Sequence, residues 1–175
     1  MQSLIRKVSG LLSLILLGIM LAPASPSHAA SISLSPTPGT YNLINDWHNR
    51  CLAGRVTRSV VIFDCIDSYT DQVWQVEPFG AAGHVRLRNV HTGQCLAMPG
   101  WDNGSKAAMY DCIDSYYDQW WAPEITPNST YRLRNYKTGK CLAVSTTSTG
   151  NGRPGIQYTC TLNFNDQWWH FWPVA

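Results

Sequence analysis

The chain has 175 residues, of which 45% are hydrophobic and only 14% are charged, with 13 basic against 11 acidic residues. A chain of this size suits one domain with a substantial buried core. Its net charge of +2 is far from the strongly basic footprint that nucleic-acid binding requires, so that class of function is disfavoured.

The N-terminus is predicted to be a secretory signal peptide over residues 1–29. Arg6 and Lys7 supply its basic region, an apolar stretch fills 10–22, and the small residues of 27–29 form a cleavage site. The apolar stretch is too short to span a membrane. Cleavage removes two of the 13 basic residues, which leaves 11 of each sign and a net charge of zero.

Residues 30–40 are predicted to be a Ser/Pro-rich linker, and 41–175 the folded domain. No later stretch approaches the length of a membrane span. We therefore expect a secreted, soluble protein that is a monomer.

One ten-residue sequence then occurs three times: CIDSYTDQVW at 65–74, CIDSYYDQWW at 112–121 and CTLNFNDQWW at 160–169. In each copy a cysteine precedes a glutamine by seven residues, and a tryptophan follows the glutamine by two. Self-similarity at a fixed period indicates a repeat architecture. The repeats define units one, two and three, at about 41–80, 85–126 and 131–173.

All six cysteines lie in the exported part of the chain, where disulfides are the expected state. Each unit contains two of them, so the repeat favours pairing within units: Cys51–Cys65, Cys95–Cys112 and Cys141–Cys160. The spacing argues against zinc, because neither C-x-x-C nor H-x-x-x-H occurs. No metal and no cofactor is expected.

Each unit opens with an alternating strand: 41–45, 85–89 and 131–135. A turn, the tripeptide Cys-Leu-Ala, the second cysteine and Gln-x-Trp follow in order. No helical periodicity is found beyond the signal peptide. The prediction is an all-β fold of three units with about four strands each, sharing one core around a pseudo-threefold axis.

The pattern Cys-Leu … Cys-x₆-Gln-x-Trp, repeated three times after an opening strand that ends in Asn, resembles the ricin B-type β-trefoil lectins. The resemblance covers residue 41 to about 173. It implies a β-trefoil and carbohydrate binding. A WD40 propeller has similar periods, but three blades do not close a propeller.

Carbohydrate sites need an aromatic plate for the C–H face of a sugar and hydrogen-bonding groups for its hydroxyls. The resemblance places the aromatic two residues before the second cysteine, at Phe63, Tyr110 and Tyr158. It places a polar sugar contact just before the glutamine, at Asp71, Asp118 and Asp166. The glutamines mainly support the site: Gln72, Gln119 and Gln167. An Asn-Gly step adds Asn103 in unit two and Asn151 in unit three.

The family's sugar-orienting Asp, two residues after the first cysteine, is replaced in every unit: Ala53, Ala97 and Ala143. Either the site relies on the acid before Gln, or the trefoil has lost its sugar. Tyr110 and Tyr158 also have an alternative role, packing against the disulfides. Units two and three are expected to be the binding units, unit two first and unit one the weakest.

The tryptophans of Gln-x-Trp are predicted to be core residues: Trp74, Trp121 and Trp169. Trp120 and Trp168 lie on the opposite strand face, either as exposed plates or as covers for the barrel end.

An enzyme is not expected, because the common hydrolase motifs are absent and no carboxylate pair stands out by its spacing. A Gly-x-Gly-x-x-Gly at 150–155 lacks the helix that a nucleotide site needs. The alternative function is binding of a protein, as a protease inhibitor with Arg153 at the tip of an exposed loop or as a toxin-associated targeting subunit.

Overall fold

The structure, a computed structural model, describes residues 35–80, 83–147 and 149–174, so the predicted signal peptide lies outside the described residues. The described residues form twelve strands, and all pairings between them are antiparallel. In chain order the strands are β1 (Gly39–Asn45), β2 (Arg50–Gly54), β3 (Val60–Phe63), β4 (Val73–Pro78), β5 (Val85–Asn89), β6 (Cys95–Ala97), β7 (Ala108–Tyr110), β8 (Trp121–Ile125), β9 (Tyr131–Asn135), β10 (Cys141–Val144), β11 (Arg153–Tyr158) and β12 (Trp168–Pro173). Short 3₁₀ turns occupy Thr70–Gln72, Tyr117–Gln119, Pro127–Ser129 and Asn165–Gln167. None of the described residues belongs to a helix able to cross a membrane.

Six of the strands close into a barrel. Strand β1 pairs with β4, and the ring continues through β5, β8, β9 and β12 back to β1. The other six form one hairpin per unit, β2–β3, β6–β7 and β10–β11. Contacts between neighbouring hairpins close a second ring over one end of the barrel. This is a β-trefoil of three four-stranded units, which confirms the predicted fold class.

The repeated residues supply the core. The leucine of Cys-Leu-Ala is fully buried in each unit, as is the tryptophan of Gln-x-Trp: Leu52, Leu96, Leu142, Trp74, Trp121 and Trp169. Each indole Nε1 donates to the carbonyl of its own unit's leucine, at 2.9–3.1 Å. A buried indole therefore keeps its hydrogen bond, and the prediction that these tryptophans are core residues is confirmed.

The three disulfides are those predicted: Cys51–Cys65, Cys95–Cys112 and Cys141–Cys160. The paired cysteines are 14, 17 and 19 positions apart in the sequence, and each disulfide joins the start of a hairpin to the segment that follows it. In the chain-entropy model, loops of this size contribute about 3 kcal/mol each.

The arginines of the opening strands are held by glutamates of the preceding unit. Glu124 on β8 accepts hydrogen bonds from Arg132 and Arg134 on β9, and Glu77 is placed in the same way against β5. Burial raises the pKa of Glu124, but the hydrogen bonds from Arg134 and Arg132 outweigh it and lower the pKa below the ordinary value. Between β12 and β1, the register instead opposes Trp172 to Asn42.

We expect Glu124→Gln to lower the free energy of unfolding by about 2 kcal/mol at pH 7, because two arginines lose a charged acceptor. A carboxyl group with a lowered pKa stabilises the fold above its unfolded-state pKa, and this contribution disappears as the pH falls through the folded-state pKa. Urea unfolding should therefore show the difference from wild type shrinking below the ordinary pKa of 4.5. A difference that does not change with pH would contradict this assignment.

Candidate functional site

Three buried glutamines fix the chain on both sides of the second cysteine. In unit two, Gln119 Nε2 donates to the Asp111 carbonyl at 2.8 Å, and its Oε1 accepts from the Ile113 amide at 3.1 Å. The glutamines of the other units make the same two bonds around their own cysteines. All three side chains are fully buried. They hold the segment between aromatic and acid in a fixed shape.

The asparagine that ends each opening strand then fixes the acid of the preceding unit. Its Nδ2 donates to the backbone carbonyl of that acid at 2.7–2.8 Å: Asn45 to Asp166, Asn89 to Asp71 and Asn135 to Asp118. Its Oδ1 accepts the amide three residues later and so closes the next turn. This turn consequently lies beside the acid of the preceding unit. Because the three units form a ring, the turn of unit one lies beside the acid of unit three.

Each acid lines a surface pocket, and the second residue after the asparagine forms one of its walls. These wall residues are His91 for unit one, Lys137 for unit two and Trp47 for unit three. The pockets measure about 380, 350 and 450 Å³, in the same order.

The unit-one pocket is lined by an arginine of the chain itself, which pairs with the acid of this pocket. Arg55 forms an ion pair with Asp71, and its guanidinium lies 5.2 Å from the ring centroid of Phe63. One side chain thus covers both the aromatic and the acid that the sequence predicted for this unit. Gln72 remains beneath them in the core.

The unit-two pocket is partly occupied by a lysine. Lys137 Nζ lies 3.9 Å from the Asp118 carboxylate and 5.0 Å from the ring centroid of Trp101, and it donates to the Pro99 carbonyl at 3.2 Å. Tyr110 does not line this pocket. It is half-buried, with the Arg58 guanidinium 5.5 Å from its ring centroid.

The unit-three pocket is an open groove lined by aromatic and uncharged polar side chains around one acid. Tyr158 and Asp166, the aromatic and the acid that the sequence singled out in this unit, both line it. The exposed rings of Trp47 and Phe164 complete its aromatic surface, and Ser145, Thr146, Thr147, Ile156, Asn163 and Asn165 supply the rest of the lining. No basic side chain is among the described residues that line it. The sequence ranked unit two first, whereas the geometry favours unit three.

Asp166 differs from the other two acids in its electrostatic setting. Burial raises the pKa of its carboxyl group, opposed only by a hydrogen bond from its own backbone amide. Within the described part of the chain, no arginine or lysine pairs with it. An unpaired, partly desolvated carboxylate is a strong acceptor for a ligand hydroxyl.

The family profile described as "Ricin-type beta-trefoil lectin domain-like" matches residues 31–110, 70–158 and 117–172. The chain belongs to this family. Comparison with curated protein sequences gives no match.

Solved structures show the same fold. A designed threefold-symmetric protein, ThreeFoil, is 22% identical with a TM-score of 0.71, over 78% of this chain and 99% of the design. A Polyporus squamosus lectin bound to a human-type influenza-binding epitope is 19% identical with a TM-score of 0.63, over 78% of this chain and 49% of the lectin. An exo-beta-1,3-galactanase from Clostridium thermocellum is 20% identical with a TM-score of 0.71, over 80% of this chain and 31% of the enzyme. The chain thus spans less than half of the last two proteins.

Within this ricin-type trefoil, the two predicted asparagines reach across unit boundaries. Asn103 accepts from the Thr159 amide of unit three at 2.9 Å. Asn151 accepts from the Asp64 amide of unit one at 2.8 Å. Each therefore lies beside the aromatic of the following unit, Tyr158 or Phe63, and not with the acid of its own unit.

The three alanines at the family's usual Asp position are fully buried in β2, β6 and β10. In unit three, hydroxyl groups from residues 145–147 and amides from Asn163 and Asn165 supply the polar lining instead. Among the described residues, no cluster of three or more His, Cys, Asp or Glu could hold a metal ion.

The sequence analysis missed two sets of pocket residues. The first is the aromatic four residues after the second cysteine, which lines every pocket: Tyr69, Tyr116 and Phe164. An aromatic residue recurs at this position in all three copies although the core does not use it, and this recurrence was a signal for a surface role. The second set, the turn residues on the pocket walls, carries no such signal because Trp47, His91 and Lys137 share no chemistry.

Two further expectations are settled by packing. Trp120 is half-buried and packs against Phe79, Tyr117 and Tyr136, so it is a covering residue and not an open plate. Trp168 is half-buried, and its role stays a prediction. Arg153 was expected at an exposed loop tip, which is wrong. It begins β11, pairs with Ile62 of β3 and is half-buried.

We expect Asp166→Asn to stabilise the fold at pH 7. A carboxyl group whose pKa is raised by folding favours the folded state at low pH, and this contribution is lost as the pH rises through the raised pKa. The stabilisation by the substitution should therefore shrink in acid. The matched variant Asp71→Asn should instead lower the free energy of unfolding by about 1 kcal/mol, because it breaks the pair with Arg55. Thermal melts from pH 4 to 8 test both, and destabilisation by Asp166→Asn at pH 7 would contradict the burial argument.

Proposed function

We propose that this protein is a secreted, non-catalytic carbohydrate-binding module whose principal site is the groove of unit three. Membership of a lectin-domain family supports carbohydrate binding in general. The choice of site rests on Asp166, which lines an open groove with Tyr158 and pairs with no basic side chain among the described residues. In the other two units, an arginine or a lysine side chain lies beside the corresponding acid.

The groove contains the groups that a neutral sugar requires. Tyr158 is 43% exposed at the end of β11 and offers its ring to a C–H face. Asp166 accepts hydrogen bonds from hydroxyl groups, and Gln167 fixes the backbone between the two. Asn103 from unit two approaches through Thr159 and supports the position of Tyr158.

Unit two is the secondary site of this proposal. Asp118 and Tyr116 face its pocket, but Lys137 must leave the carboxylate before a sugar hydroxyl replaces it. Gln119 has the same supporting role as Gln167. Unit one contributes least, because Arg55 covers Phe63 and Asp71 together.

Secretion and the absence of catalysis are supported by chemistry. Three disulfides suit an oxidising compartment. A glycosidase of the common kind uses two carboxyl groups about 5 to 10 Å apart. Among the described residues that line the groove, Asp166 is the one acid.

The rival function, protease inhibition through Arg153, receives little support from the geometry. An inhibitory residue must present its side chain to a protease, whereas Arg153 Nη2 donates to Thr147 Oγ1 at 3.3 Å beside the groove. We therefore retain carbohydrate binding as the single proposed function.

The decisive experiment is a glycan and polysaccharide panel with the purified protein, followed by calorimetry on the best ligand. Tyr158→Ala should weaken binding at least tenfold, because it removes a central aromatic contact. The matched variant Tyr110→Ala should stay within about twofold of wild type. Circular dichroism controls for folding. Equal losses in both variants would count against unit three as the principal site.

Lys137→Ala should open the second pocket. In the Tyr158→Ala background, this substitution should restore measurable binding, and adding Asp118→Ala should remove it again. The physical reason is that Asp118 regains free lone pairs once its cation is gone. Calorimetric titration of the double and triple variants provides the measurement. Restored binding that survives Asp118→Ala would show that another surface is responsible.

A further inference from the structure

The groove of unit three has one wall from the opposite end of the chain. Trp47 lies in the turn after β1, within unit one, while Tyr158, Phe164 and Asp166 belong to unit three. The pairing of β1 with β12 brings these segments together, with Asn45 opposite Trp169. Trp47 is therefore a groove residue that the repeat pattern of unit three does not contain.

The backbone around Trp47 is anchored on both sides. On one side, the Asp46 amide donates to the Trp168 carbonyl at 2.9 Å, and the Asp46 carboxylate lies 2.8 Å from His170 Nε2. On the other side, His48 Nε2 lies 3.2 Å from the carbonyl of Ser145, which lines the groove.

The indole itself stays open to solvent, with 52% of Trp47 exposed. Because the neighbouring residues anchor its backbone, the turn that carries this ring is already ordered, so binding has to restrict only the side-chain torsions of Trp47.

The groove also holds more aromatic surface than one sugar ring uses. Trp47 is joined by Phe164, 49% exposed, and Tyr158, 43% exposed, and the three rings come from separate elements. A pyranose has two faces, so one ring cannot lie flat against three plates. Stacking on all three rings at once therefore requires a ligand with at least two sugar residues.

The charge of the lining restricts the ligand further. Among the described residues that line it, the groove has the acid Asp166 and no basic side chain. Arg153 is not a lining residue, and its Nη2 donates to Thr147 Oγ1 at 3.3 Å. A carboxylated or sulfated sugar would meet an unpaired carboxylate of the same sign. The hydroxyl and amide groups of the rim suit neutral hydroxyls as both donors and acceptors.

We propose that Trp47 determines specificity in the unit-three groove by stacking on a second sugar residue, so that the groove selects neutral oligosaccharide chains over single sugars. This inference rests on the proposed carbohydrate-binding function. It adds the class of ligand, and it assigns the selection to a residue of another unit.

The test uses ladders of one to four residues of β-linked galactose, xylose and glucose, with the whole purified protein and calorimetry. In wild type, the best ladder should tighten about tenfold between one and three residues, a gain of about 1.4 kcal/mol. Trp47→Ala should reduce this gain, measured as the ratio of the affinities for three residues and for one residue in the same variant, to about twofold or less. The matched control is Trp172→Ala, which removes another exposed tryptophan outside the groove and should keep the full gain.

The outcomes separate this inference from the proposed function. If Tyr158→Ala abolishes binding but Trp47→Ala keeps the length dependence, the groove is a sugar site and the role of Trp47 is wrong. If affinity is independent of length in wild type, selection of chains is wrong. A galacturonate ladder that binds more tightly than every neutral ladder overturns the charge argument. Failure of every ladder to bind removes the proposed function and this inference together.

Discussion

The hydrogen bond from the asparagine at the end of each opening strand is the constraint on which the pockets depend. The Nδ2 of this asparagine holds the backbone carbonyl of the preceding unit's acid. Its Oδ1 closes the following turn, so one side chain fixes both the acid and the turn. Every pocket is consequently composite, with its acid from one unit and its wall from the next. A substitution in one unit therefore acts on the site of its neighbour, and a unit cannot be judged from its own residues alone.

Near-identical scaffolds carry three different pockets because only a few positions differ in charge. Arg55 pairs with the acid of the first pocket, Lys137 lies near the acid of the second, and the corresponding positions of the third pocket are Ser145 and Trp47. A cation beside an acid satisfies the carboxylate internally, and a ligand must then replace an existing interaction. Where no cation is present, the carboxylate keeps its acceptor capacity for a ligand at some cost in stability, as is common at functional sites.

The fold was predictable because its signals are local and repeated. Cysteine pairs, Gln-x-Trp and the alternating opening strands each occur three times. Each copy therefore checks the assignment of the other two. The same repeat register singled out both Tyr158 and Asp166, which line one groove. The occupants of the pockets were not predictable, because Arg55 and Lys137 reach them through long side chains. Asn103 and Asn151 lie at hairpin tips whose contacts are set by neighbouring units, and Trp47 depends on closure of the barrel.

Strand β1 and strand β12 close the barrel side by side, and the unit-three groove lies across that junction. Trp47 and Asp166 lie 119 residues apart in the sequence, and the groove exists only once the first and last strands of the domain have paired. A domain cleaved before β12 would keep the first two disulfides and their hairpins, yet it would lack this groove. Occupation of the groove by a ligand would therefore report that the barrel has closed.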